Sequence, residues 1–149
     1  METKRLSADD NLTQIVADIN SAQWDDANEM TAYSAAALLK YLQRADTLFI
    51  TCYRDSVLLG IASARLEMKP YDEELWLYVD EVDVCADQRQ QGAGKAIMRK
   101  LINLADELDC EEVWLGTETD NTAANALYRS LHPEEVEQFV GYTFDPDQL

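Results

Sequence analysis

The sequence predicts an α/β fold of the α+β kind, with one mixed, mostly antiparallel sheet of six to seven strands and four helices on its faces. Three observations predict it. The chain has 149 residues, 47% hydrophobic and 28% charged, with only three prolines. That composition suits a single domain over residues 1–149 with one core. Helix-period and strand-like segments are short and separated by turn residues. Their order, a strand meander followed by strand–helix–strand–helix–strand, favours one sheet.

The elements follow in chain order. A short strand is expected at residues 4–6. In "SADDNLTQIVADIN", Leu12, Ile15, Val16 and Ile19 recur at helical spacing. The polar link "SAQWDDANEMT" leads to a second helix within 34–44, built on Leu38, Leu39, Tyr41 and Leu42. "TLFITCYR" is rich in β-branched and aromatic residues, Asp55-Ser56 can turn, and "VLLGIASARLEMK" is the hairpin partner. After a turn at 70–74, "LWLYVDEVDV" completes the meander. A helix over 92–108 presents Ile97, Leu101, Leu104, Ala105 and Leu108 as one stripe. "EEVWLGTE" is a strand, "NTAANALYRSL" a helix, and "EVEQFVGYTF" one or two closing strands.

Composition narrows the chemistry. Twenty-nine acidic residues against 12 basic give a net charge of −17. Nucleic acid is disfavoured as a partner, because neutralising phosphates takes clustered Lys and Arg. A cationic partner fits the balance, and so does a simple gain in solubility. No stretch approaches the ~20 apolar residues that cross a bilayer, so no membrane partner is expected. The polar start "METKRLSADD" does not read as a signal peptide. Cys52, Cys85 and Cys110 form no CxxC pair and read as reduced, mostly buried thiols of a cytoplasmic protein. With His132 as the sole histidine, no metal site is expected.

The stretch "VCADQRQQGAGKAIMRKL" holds two glycines one residue apart where a strand gives way to a helix. It is not a Walker loop, because Gly92 lies too close to Gly94-Lys95 and Ala96 follows. It is not a dinucleotide fingerprint either, since Ile97 stands where glycine is wanted. What remains is Arg89-x-x-Gly92-x-Gly94. Glycines lack the Cβ that would keep a ligand off the chain. The free N–H groups of a first helical turn suit an anion such as a pyrophosphate. Arg89 and Lys95 add positive charge. Glycines that merely ease a sharp turn would read the same way.

This pattern resembles motif A of the GNAT superfamily of acetyl-CoA-dependent N-acetyltransferases, Arg/Gln-x-x-Gly-x-Gly/Ala. "TDNTAANALYRSL" resembles the family's later N-x-x-A-x-x-L-Y helix, with Asn121, Ala124, Leu127 and Tyr128 in the matching places. The element order agrees with a GNAT-like sheet, so the likeness covers most of the chain. Within the superfamily the sequence is most similar to the small aminoglycoside 3-N-acetyltransferases. That likeness includes Glu81, eleven residues before Gly92, and an "EEV" followed by an aromatic and Asp-Pro ending. One departure is Leu131-His132-Pro133, where many relatives carry Leu-Gly-Phe or Leu-Gly-Ile.

The resemblance implies that acetyl-CoA is the cofactor. Its pantetheine arm would lie along main-chain groups of Val82, Asp83 and Val84. Its pyrophosphate would rest on Arg89, Gln90, Gln91, Gly92, Ala93, Gly94 and Lys95. Strand alternation puts Glu81 and Asp83 on one face and Val82 and Val84 on the other. Glu81 can then bind an acceptor ammonium and relay its proton, or simply sit on an exposed face. On the later helix Asn121, Asn125 and Tyr128 share a face. The resemblance gives Tyr128 the role of proton donor to the departing thiolate and Asn121 and Asn125 the cofactor arm; packing is the alternative for Tyr128. Cys85 reads as structural.

The acceptor pocket is expected from acidic and aromatic loops: Trp24, Asp25, Asp26 and Glu29, then Asp72 with its turn, then Tyr142, Phe144 and Asp145, beside Glu81 and Asp83. The implied function is acetyl transfer to a small polycationic amine, an aminoglycoside first, by a cytoplasmic homodimer. The alternatives are acetylation of a protein or peptide amine, and a catalytically silent acyl-CoA-binding module.

Overall fold

Local chemistry sets where most elements begin and end. The computed structural model describes residues 1–26 and 30–148, which fall into two compact units, Met1–Leu115 and Gly116–Leu149. In the first unit β1 (Glu2–Arg5) leads to α1 (Leu12–Ser21), and α2 (Ala35–Gln43) follows. Asn11 caps α1 by accepting from the Gln14 N–H at 3.2 Å, and Ser34 caps α2 by accepting from Ala37 at 3.1 Å. Each cap satisfies one of the donors that a helix start leaves orphaned. β2 (Thr47–Arg54) and β3 (Val57–Met68) are joined through Asp55 and Ser56 at φ 49° and 68°. Positive φ at both positions gives the turn whose twist matches a two-residue hairpin.

β4 (Leu75–Val84), α3 (Ala93–Glu107) and β5 (Cys110–Trp114) complete the unit. The sheet runs β1-β2-β3-β4-β5, antiparallel except for the β4–β5 pair, which α3 connects as a parallel crossover. Alternation along β2 divides the core. Phe49 joins Leu12, Val16, Ile19, Leu38 and Ile61 in a cluster under α1 and α2. The opposite face carries Leu48, Ile50 and Leu77, and α3 lays Ile97 and Leu101 against it, all fully buried. Burying each such side chain stabilises the fold by about 1.5–3 kcal/mol.

The second unit holds α4 (Thr122–Arg129), capped by Asn121, and a short 3₁₀ turn at Pro146–Gln148. The mixed, mostly antiparallel sheet and the four helices are as expected, but the described residues contain five strands rather than six or seven. The closing strands expected in "EVEQFVGYTF" do not form, and residues 132–148 are exposed. Alternating apolar residues mark a strand's face, but only a neighbouring edge supplies a strand's hydrogen bonds. No described helix is long and apolar enough to cross a membrane.

Candidate active site

β4 is where the sheet changes phase. Val79 pairs with Ala64, yet Glu81 pairs with Ser63, so Asp80 is an extra residue, a β-bulge. Leu77 and Val79 are buried towards α3. Without the bulge, Glu81 and Asp83 would continue on that apolar face. With it they turn to the face of Phe49 and Ile61, under α1 and α2, and Val82 and Val84 take the α3 side. Beyond the bulge β4 also loses a neighbour. β5 pairs with Leu75, Trp76, Leu77 and Tyr78, so from Val79 to Val84 one edge of β4 bonds to β3 and the other has no strand beside it among the described residues.

Glu81 is exposed and Asp83 half-buried. Burial, and then the neighbouring Glu81 charge, push the Asp83 carboxyl up to about 6. Tyr33 lies near both, because burial and then these two carboxylates raise its phenol to about 12. Its ring packs edge-on to Phe49 at 6.0 Å. Asn20 clamps its backbone, donating to the Tyr33 carbonyl and accepting from its N–H, each at 2.9 Å. A carboxyl that titrates near neutrality beside a fixed phenol can accept a proton from an ammonium group.

After β4 the chain turns through Cys85 and a 3₁₀ turn at Ala86–Gln88. Cys85 is buried, its thiol donates to the Leu58 carbonyl at 3.3 Å, and burial pushes its pKa up to about 11. That thiol is structural. Gln90 and Gly92 then take φ 62° and 84°. No side chain caps α3, whose first intrahelical bond is from Ala96 to the Gly92 carbonyl at 2.9 Å. The N–H groups of Ala93, Gly94 and Lys95 therefore precede the first intrahelical bond and have no side-chain cap among the described residues. A Cβ on Gly92 would meet nothing within 4 Å, so the backbone there is bare to solvent. Because φ is left-handed, a branched residue at Gly92 would be strained as well as obstructive. Lys95 makes no ion pair among the described residues and adds positive charge beside these donors.

Two contacts tether this loop. Arg89 pairs with Asp25 at 2.9 Å, and Arg54, at the end of β2, donates to the Gln91 side chain. Arg89 and Asp25, expected on the cofactor and the acceptor respectively, thus hold each other. Asp25 and Asp26 line a crevice of about 480 Å³ with Ile19, Asn20, Trp24 and Met30, and Trp24 is anchored by its indole N–H to the Ile19 carbonyl at 2.9 Å. Glu29 lies outside the described residues. Asp72 is not brought to the carboxylate pair. It sits beyond the far end of β4, a strand about 30 Å long, where its side chain accepts from the Glu74 N–H at 3.1 Å.

In the second unit Asn121 accepts from Ala124 at 3.1 Å, and Asn125 donates to the Asn121 and Glu118 carbonyls at 2.8 and 3.0 Å. Both amides hold the start of α4, and Tyr128 is half-buried two turns on. Tyr142 is 79% exposed, and Asp145 accepts from the Asp147 N–H at 3.0 Å.

Sequence reasoning missed Tyr33, Arg54 and Gly60. A Cβ at Gly60 would lie 2.7 Å from the Asp83 carbonyl and 3.0 Å from Ile97 Cδ1, so glycine lets β3, β4 and α3 meet beneath the site. A lone glycine inside a predicted strand was the available signal.

The sequence profile of the Acetyltransferase (GNAT) family matches residues 12–132. No curated protein matches the chain. Among solved structures, an aminoglycoside acetyltransferase, meta-AAC0020, from an uncultured soil metagenomic sample in complex with sisomicin, superposes with a TM-score of 0.83 at 20% identity. It covers 97% of this chain and 95% of its own. A ribosomal-protein-alanine N-acetyltransferase from Brucella melitensis biovar Abortus 2308 gives 0.73 at 16%, covering 97% and 99%. The aminoglycoside N-acetyltransferase AAC(6')-Iy in complex with CoA gives the same score, identity and coverage. At these identities the likeness is one of fold.

Proposed function

This chain belongs to the GNAT acetyltransferase family, and we propose that it acetylates a primary amine of a small polycationic acceptor, an aminoglycoside first, by direct transfer within a ternary complex. As a member it is an acetyl-CoA-dependent N-acetyltransferase. The observation that carries the finer reading is the carboxylate pair on β4. Asp83, titrating near 6 with Glu81 beside it, suits an amine that arrives as an ammonium ion.

The residues present fit the cofactor. The uncapped start of α3 offers the N–H groups of Ala93, Gly94 and Lys95 to a diphosphate, and glycine at 92 keeps the approach open. The open edge of β4 offers main-chain groups of Val82, Asp83 and Val84 to an extended arm. Acetyl-CoA, when bound, supplies an activated acetyl thioester. Asp83 then takes the proton from the acceptor nitrogen, and Glu81 with Asp26 draws further ammonium groups to this face. Tyr128 is the proton donor at the departing sulfur. A thiol leaves readily, its pKa being about 8.5, so this last contribution is the smaller one.

A peptide or protein amine is the second reading, favoured by the fold likeness to a ribosomal-protein acetyltransferase. Release of CoA thiol, measured against aminoglycosides, polyamines, amino acids and basic peptides, separates the possibilities. The expected result is the highest kcat/KM with aminoglycosides. Best turnover of a basic peptide would establish the second reading. Binding of acetyl-CoA with no turnover of any amine would leave a silent acyl-CoA-binding module.

A further inference from the structure

A second cavity lies towards the β1 edge of the sheet, between α1 and the β1–β2 pair. Its volume is about 590 Å³, the size of a small-molecule site. Register builds its floor. Lys4 pairs with Thr51 and Glu2 with Tyr53, so these four side chains stand on the face that α1 covers. Helix α1 supplies the wall through Gln14, Ile15 and Asp18. Thr51 lines the cavity while only 2% exposed, and its hydroxyl makes no hydrogen bond among the described residues. A hydroxyl so enclosed needs a partner, and the cavity is the side from which one can come.

The charge on this floor is also unbalanced. Tyr53 donates to one Asp18 oxygen at 2.6 Å and Gln14 to the other at 2.9 Å. Burial, and then this bond to Asp18, raises the Tyr53 phenol well above its ordinary value, so it stays a donor. Both donors are neutral, and neither Asp18 nor Glu2 makes an ion pair among the described residues. Lys4, the cation on the floor, is already paired with Asp10. Two carboxylates are thus held beside Tyr53 without a counter-charge.

We propose that this cavity binds a small aliphatic amino alcohol, its ammonium group between Glu2 and Asp18, its hydroxyl on Thr51 and its carbon chain against Ile15. Thr51 and Tyr53 are two residues apart on β2, about 7 Å, a span that a four-carbon chain bridges. Lys4 pairs with Thr51 and so disfavours a second ammonium at that end, which leaves a neutral hydroxyl as the matching group. Strand β3 separates this floor from β4, about 10 Å from β2, so the guest lies apart from Asp83 and is not acetylated there. The assignment is independent of which amine receives the acetyl group.

The test is an NMR titration of the whole chain with 4-amino-1-butanol, read at the backbone amides. Resonances of 14–18 and 51–53 should shift together and saturate. 1-Aminobutane lacks the hydroxyl and should bind about threefold more weakly; 1,4-butanediol lacks the charge and should bind at least about tenfold more weakly. This comparison of probes on wild type needs no variant to fold. Asp18→Asn keeps an acceptor for Tyr53 but removes the charge, and should weaken the amino alcohol at least about tenfold. Thr51→Val keeps the shape and should erase the difference between the amino alcohol and 1-aminobutane. Asp83→Asn, which alters the acetyl-transfer site instead, should leave the shifts at 14–18 and 51–53 as they are. Absence of those shifts in wild type, equal binding of the diol, or shifts that survive Asp18→Asn and vanish in Asp83→Asn would each overturn the proposal.

Discussion

Asp83 sets a pH limb and a stability cost with one carboxyl. Its pKa is near 6 in the folded chain against the ordinary 3.8. The folded protein therefore holds this proton more tightly than the unfolded chain does. The stability this adds is present below pH 3.8 and is lost as pH rises to about 6. Asp83→Asn should accordingly raise Tm above pH 6 while lowering kcat/KM by about a hundredfold, and should abolish the rising limb of the rate near pH 6. Glu81→Gln removes the second cause of the shift, so that limb should move to lower pH without vanishing. Thermal melts and pH–rate profiles check both, and an unmoved limb would transfer the proton-acceptor role elsewhere. Tyr128→Phe should lower kcat by about tenfold and leave acetyl-CoA affinity, read by calorimetry, unchanged. These candidates were legible in the sequence because they sit in spaced motifs. Tyr33 was not, because nothing in "TAYSA" says which strand it will face.

Among the elements, helix starts were the most legible parts, since Asn11, Ser34 and Asn121 cap through local geometry that a few residues contain. The bulge in β4 was legible in principle. In "LWLYVDEVDV" the apolar positions run 75, 77 and 79 and then 82 and 84, a change of phase that an extra residue at Asp80 explains. Gly60 lies under that strand. Gly60→Ala should cost about 1–3 kcal/mol in urea unfolding, because the nearest obstacle to its Cβ is the backbone carbonyl of Asp83 rather than a side chain that can move. It should also raise KM for acetyl-CoA by displacing the open edge of β4. A variant with wild-type stability and KM would show that β3 and β4 separate there without cost. The closing strands were misjudged because propensity and alternation are local properties, whereas pairing belongs to a distant edge.

At the scale of the whole molecule, the charge of −17 acts at long range and is screened by salt. If Glu81 and Asp26 gather a polycation, kcat/KM for an aminoglycoside should fall steeply as the Debye length shrinks from about 10 Å at 0.1 M to about 3 Å at 1 M salt. A monoamine, with one charge to attract, should respond far less. Equal salt dependence for the two acceptors would leave the acidic balance as solubility alone. The sequence by itself determined the family, the mixed sheet and its element order, and the glycine-bared helix start, because each rests on residues within a few positions of one another. Only the tertiary structure decided that Asp83 is buried enough to hold a proton near neutrality, that Arg89 is bound to Asp25, and that the described residues carry five strands. The reason is physical: burial, ion pairing and edge pairing depend on which distant segments meet, and no local spacing encodes that meeting.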